Sequence, residues 1–218
     1  MTDKHRRFLG PVVEMRKLHD SAEQRIVHSA EMLDRKSLAS VGDTTGERLT
    51  ALLTETKAAP PEELAANVAR IGELLGRFAL YVPARFTDDP AEQAKYWAVR
   101  SGIFPAVGGS RPAGTTCLSE DVAFHIEDLP RATAELQALI ARHGYDACIY
   151  GHALEDNYHF IINQSFSPPA EVARYEALMN DVAELVSAGT TARSKPSMAR
   201  GATWRPSSAA SRATTPWP

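Results

Sequence analysis

Cysteine is almost missing from this 218-residue chain: there are two, Cys117 and Cys148, and they form no Cys-x-x-Cys pair. A thiolate zinc site, a dithiol redox motif and a disulfide-stapled scaffold are thereby excluded as organising features, leaving two reduced thiols in a cytoplasmic setting. Long apolar runs are absent too. The charged stretch 1–13 does not read as a signal peptide, and no segment approaches a membrane-spanning helix. The formal net charge is −3, so there is no electrostatic footprint for nucleic acid or an anionic bilayer. Glycine is sparse where a nucleotide would need it. Before position 49 no glycine-rich loop stands on a strand–turn–helix, and the 108–114 segment (Gly108-Gly109-Ser110-Arg111-Pro112-Ala113-Gly114) lies between a helix and a strand without dinucleotide spacing. That segment reads as a surface loop, with Arg111 as a cation near a pocket.

What is present suffices for one sizeable core, since 44% of the residues are hydrophobic. Leu64, Val68, Ile71 and Leu75 fall on one stripe of a helix over 61–78, started by Pro60 and Pro61. Leu129, Ala132, Leu136, Leu139 and Ile140 make a second over 129–143, closed by Gly144. Val172, Tyr175, Leu178, Met179, Val182 and Leu185 make a third over 168–186, and a fourth is expected over 91–104 behind Asp89 and Pro90. Strands are expected over 49–56, 79–83, 115–124, 145–151 and 158–163. The stretch 21–38 has helical spacing, and 1–26 reads as an irregular or helical lead-in without an independent fold. Helices and strands alternate, yet the last two strands form a hairpin. The fold class expected is therefore α+β: a mainly antiparallel sheet covered by helices on one face.

That hairpin carries the most informative residues. Gly151-His152-Ala153-Leu154-Glu155-Asp156-Asn157-Tyr158-His159-Phe160 sets two imidazoles around a polar turn between strand-forming runs. Two histidines from adjacent strands can bind a divalent ion such as zinc; equally, they can hydrogen-bond locally. Glu120 and Asp121 are adjacent in a strand, so at most one faces a pocket, and neither is assigned a catalytic role.

The hairpin resembles the Gly-His-x-x-x-Gly-Asn-x-His signature of the FAD-linked D-2-hydroxyacid dehydrogenases, the D-lactate, glycolate and D-2-hydroxyglutarate type. Tyr96-Trp97-Ala98-Val99-Arg100 is similar to that family's Trp-x-x-Arg helix, Glu120-Asp121-Val122-Ala123 to its Glu-Asp-Val-Ala strand, and Met32-Leu33-Asp34-Arg35 to the stretch joining its flavin and substrate domains. The resemblance runs from about 30 to 186 and covers only the C-terminal, substrate-side domain. It implies oxidation of a D-2-hydroxyacid with FAD as electron acceptor. His152 and His159 map to metal ligands, Arg100 to the arginine that pairs with the substrate carboxylate, and Asn157 to a further substrate-binding residue. Asp156 stands where the family has glycine, which puts the tight turn in question. A solvent-exposed helix arginine is the plainer reading of Arg100.

The expected organisation is a lead-in over 1–40, the substrate domain over 41–186 and a disordered tail over 187–218 rich in Ala, Ser, Thr, Arg and Pro. Reverse translation of 189–208 in a shifted frame yields Tyr-Asp-Gly-Ser-Leu-Lys-Ala-Glu-His-Gly-Thr-Gly-Arg, the family's next motif, so the tail reads as out of frame. The expected partners are a small D-2-hydroxyacid and a separate flavin-domain chain. FAD is implied for the family while its binding domain is expected to be absent here, and the metal site is expected to be incomplete. The other reading is an α+β module that holds a small carboxylate or a metal without catalysis.

Overall fold

A computed structural model describes residues 3–20, 25–42 and 50–190. Five antiparallel strands, β1 (Ser29–Leu33), β2 (Ala51–Glu55), β3 (Thr116–Ala123), β4 (Cys148–His152) and β5 (Asn157–Gln164), form one sheet in the order β2-β1-β4-β5-β3. The helices are α1 (Asp3–His19), α2 (Arg35–Ser40), α3 (Pro61–Leu75), α4 (Pro90–Gly109), α5 (Leu129–Arg142) and α6 (Pro169–Thr190). This is the α+β class expected.

Strand alternation divides the core in two. Ala30, Met32, Ile149, Tyr158, Phe160 and Ile162 point to the face where α1, α3, α5 and α6 pack, through Val12, Met15, Ile71, Leu136 and Leu178. Full burial of a side chain such as Phe160 stabilises by about 2–3 kcal/mol, and this face holds most of the apolar mass. Leu33, Cys148, Tyr150 and Ile161 point the other way and meet Leu38 of α2 and Ile103 of α4. The main helical layer thus covers one face, and α2 and α4 cover part of the second.

Four expectations change. The helical spacing over 21–38 resolves instead into β1 followed by the short α2, capped by Asp34, whose side chain accepts from the Ser37 amide. Ala30, Glu31, Met32 and Leu33 all favour helix intrinsically, but pairing to β2 on one side and β4 on the other outweighs that propensity. The lead-in over 1–40 is consequently part of the domain: β1 is an interior strand, and Val12 and Met15 of α1 are fully buried. The segment 79–83 pairs with no strand; Tyr81 and Val82 are exposed and Pro83 carries no amide to donate. At the other end α6 continues to Thr190, beyond the expected limit of 186, while the remainder of the tail lies outside the described residues. Among the described residues no helix is long and apolar enough to cross a membrane.

Candidate functional site

The second sheet face gathers the polar residues that the hydrophobic face cannot accept. Cα register places Glu31 of β1 beside His152 of β4, and His152 beside Asn157 of β5. One step along, Tyr150 lies beside His159, and His159 beside Asp121 of β3. Because side chains two apart share a face, His152 with Tyr150 and Asn157 with His159 all project to the same side. The two imidazoles meet edge to face, with centroids 5.6 Å apart and ring planes at 80°.

Each imidazole is held by a carboxylate on its Nδ1. His152 Nδ1 lies 2.5 Å from Glu31 Oε1, and His159 Nδ1 pairs with Asp121 Oδ1. Arg100, on α4, completes the group: its Nε donates to Glu31 Oε2 at 3.2 Å, and its guanidinium carbon sits 5.0 Å from the centroid of the Tyr150 ring. Among the described residues its two Nη groups have no protein partner. Asn157 Oδ1 is buried and receives no donor from the described residues, which leaves it an unsatisfied acceptor. Neighbouring groups are chemically quiet. Burial pushes the Cys148 thiol up to about 12 and raises the Tyr150 phenol, against the opposing pull of Arg100, so both are neutral in the ordinary pH range.

The hairpin tip explains how aspartate replaces glycine. Asp156 adopts φ 60°, the only positive φ among the described non-glycine residues, a conformation that costs on the order of 1 kcal/mol. Arg16 of α1 reaches across to hold it, donating from Nη1 to Asp156 Oδ1 at 3.2 Å and to the Leu154 carbonyl. Burial raises the Asp156 carboxyl, and Arg16 opposes that shift. Before the tip, Gly151 is required for a different reason: a Cβ there would lie 2.7 Å from the Asn157 carbonyl oxygen and 2.9 Å from Tyr158 Cα.

The predicted residues His152, His159, Arg100 and Asn157 therefore lie together on one face. Glu120 and Asp121 separate as alternation requires: Asp121 meets His159, whereas Glu120 accepts from the Tyr175 hydroxyl at 2.5 Å on the opposite face. Arg111 does not reach the site. It folds back onto the carbonyls of Gly108 (Nη1, 2.5 Å) and Thr115 (Nε, 3.2 Å), closing the C-terminal end of α4. The 108–114 segment thus follows the carbonyl end of a helix, the opposite polarity from a phosphate cradle. Glu31 escaped the sequence reading, and its only signal is an acidic residue amid an otherwise apolar 30–33 run.

For a divalent ion, the donor set supplies two imidazoles with Nε2 turned away from the carboxylates. Among the described residues no group of three or more His, Cys, Asp or Glu is placed to hold a metal. A tetrahedral sphere would be half filled by protein.

Comparison with known proteins agrees with this architecture. Among solved structures, 4-ethylphenol oxidase from Gulosibacter chungangensis, in complex with isoeugenol, matches at 12% identity with a TM-score of 0.51. The match covers 87% of this chain and 42% of the oxidase, so the chain spans less than half the length of that enzyme. At such identity the likeness speaks for the fold alone. The comparison with curated proteins gives no match. The family model "FAD linked oxidases, C-terminal domain" matches residues 15–190, starting within α1 and ending at the last residue of α6, and this chain belongs to that family.

Proposed function

We propose that this domain binds and orients a small D-2-hydroxyacid, D-lactate-like, for oxidation to the 2-oxoacid by an FAD-dependent oxidoreductase. The flavin is assigned to a separate domain. The 108–114 glycine-rich segment does not fit the FAD pyrophosphate, because it follows the carbonyl end of α4 rather than presenting backbone amides.

The observation that carries the reading is the placement of Arg100 above the same sheet face as the His152–His159 pair, with Asn157 on that face and its Oδ1 without a donor among the described residues. The Nη edge of Arg100, without a partner among the described residues, matches a carboxylate in bidentate fashion. Asn157 is assigned to the substrate hydroxyl, from which its Oδ1 would accept a hydrogen bond. His152 and His159 would hold a divalent ion such as zinc through Nε2, and such an ion would favour ionisation of a bound hydroxyl. A carboxylate, a hydroxyl and an adjacent ion are what a 2-hydroxyacid needs at one place.

Calorimetric titration of the metal-loaded protein with D-lactate and L-lactate tests this. The D enantiomer is expected to bind more tightly, and Arg100→Ala to weaken it about tenfold or more. Equal affinity in wild type and Arg100→Ala removes the carboxylate role.

A further inference from the structure

From the contacts of Glu31 we infer that it is a positioning residue, one buried carboxylate that sets both the tautomer of His152 and the orientation of Arg100. Glu31 is 4% exposed, on an interior strand, and both of its oxygens are engaged. Oε2 accepts from Arg100 Nε; Oε1 faces His152 Nδ1 at 2.5 Å. A carboxylate paired with a guanidinium only accepts, so the hydrogen between Oε1 and Nδ1 belongs to the imidazole. His152 is thereby held as the Nδ1–H tautomer, with the lone pair on Nε2. That is the nitrogen a metal requires. The same carboxylate occupies Nε of Arg100 and so leaves its two Nη groups for another acceptor. Two groups from different elements, α4 and β4, are set by one acid on a third.

The neutral isostere makes the inference sharp. In Glu31→Gln the amide oxygen must face the Arg100 cation, which cannot accept. The amide NH2 then faces His152 Nδ1, which has to accept, and the ring proton moves to Nε2. The tautomer inverts without any change in side-chain size. His159 pairs with Asp121 instead and serves as an internal control in the same spectrum.

The test is long-range 1H–15N correlation on the metal-free, full-length protein at about pH 8, where an unperturbed imidazole is neutral. Wild type is expected to show His152 protonated on Nδ1. Glu31→Gln is expected to show it protonated on Nε2, with His159 unchanged. A wild-type His152 carrying its proton on Nε2 overturns the inference outright, and that measurement needs no variant to fold. An unchanged His152 in a folded Glu31→Gln overturns it as well. The consequence for metal rests on the proposed function: zinc affinity should fall about 10- to 100-fold in Glu31→Gln. If wild type takes up no zinc while the tautomers behave as stated, the metal reading fails and the role of Glu31 stands.

Discussion

The two histidine–carboxylate pairs are alike in connectivity and unlike in surroundings. Glu31–His152 has an acid whose side chain is 5% exposed and which also carries Arg100; Asp121–His159 has an acid 55% exposed with no second cation among the described residues. The imidazoles are reversed, His152 being 40% exposed and His159 19%. An ion pair buried at its acid end cannot be replaced by water when one partner is removed, whereas one open to solvent can. The same pairing therefore both orients its histidine and supports the fold at the Glu31 end, and orients alone at the Asp121 end.

The sharpest contrast comes from truncating each acid. Glu31→Ala is expected to destabilise by about 3 kcal/mol or more, because Arg100 and His152 are left facing a cavity. Asp121→Ala should cost about 1 kcal/mol or less. Urea unfolding followed by circular dichroism measures both, and equal losses would mean that burial does not separate the pairs.

Smaller is the effect at the hairpin tip that carries the two histidines. Arg16→Ala is expected to cost about 1–2 kcal/mol, since it strands a positive-φ aspartate and frees the Leu154 carbonyl. In an Asp156→Gly background the same change should cost clearly less, because glycine adopts the conformation unaided. Additive losses in the double-mutant cycle would show that Arg16 and Asp156 are not coupled.

Asp34 offers the gentlest comparison, a carboxylate buried like Glu31 but spent on capping α2. Burial raises its carboxyl above 3.8, with the Ser37 hydrogen bonds opposing. Below 3.8 the group is protonated in both folded and unfolded chains. As pH rises through the window above 3.8, the folded chain gives up a proton it holds more tightly, and stability is lost. Asp34→Asn, which keeps a capping oxygen, should therefore gain on wild type as pH rises across that window. Thermal melts at stepped pH test the sign, and a gain in the opposite direction contradicts it.

The hairpin was readable because two signals coincide there: strand-forming runs flank a polar turn, and the glycine before His152 answers a backbone contact. The helices over 61–75, 129–142 and 169–190 were readable from single apolar stripes. β1 was not, because Ala30, Glu31, Met32 and Leu33 prefer helix in isolation and become a strand only between two neighbours. The exposed 79–83 segment shows the converse, since Leu80, Tyr81 and Val82 favour strand yet find no ladder to join. Arg111 looked like a pocket cation and is instead consumed by nearby carbonyls.

Residue types and local order alone settled the α+β class and the pairing of β4 with β5, since these depend on periods of 3.6 and 2 residues and a turn written into short segments. That His152 and His159, an odd seven residues apart, share a side follows from the β4–β5 register, which sets His152 beside Asn157. Which acid stands behind which imidazole was decided by the tertiary structure. Glu31 lies 69 residues from Arg100 and 121 from His152, and no local period spans such separations; only sheet register and the placement of α4 bring those charges together.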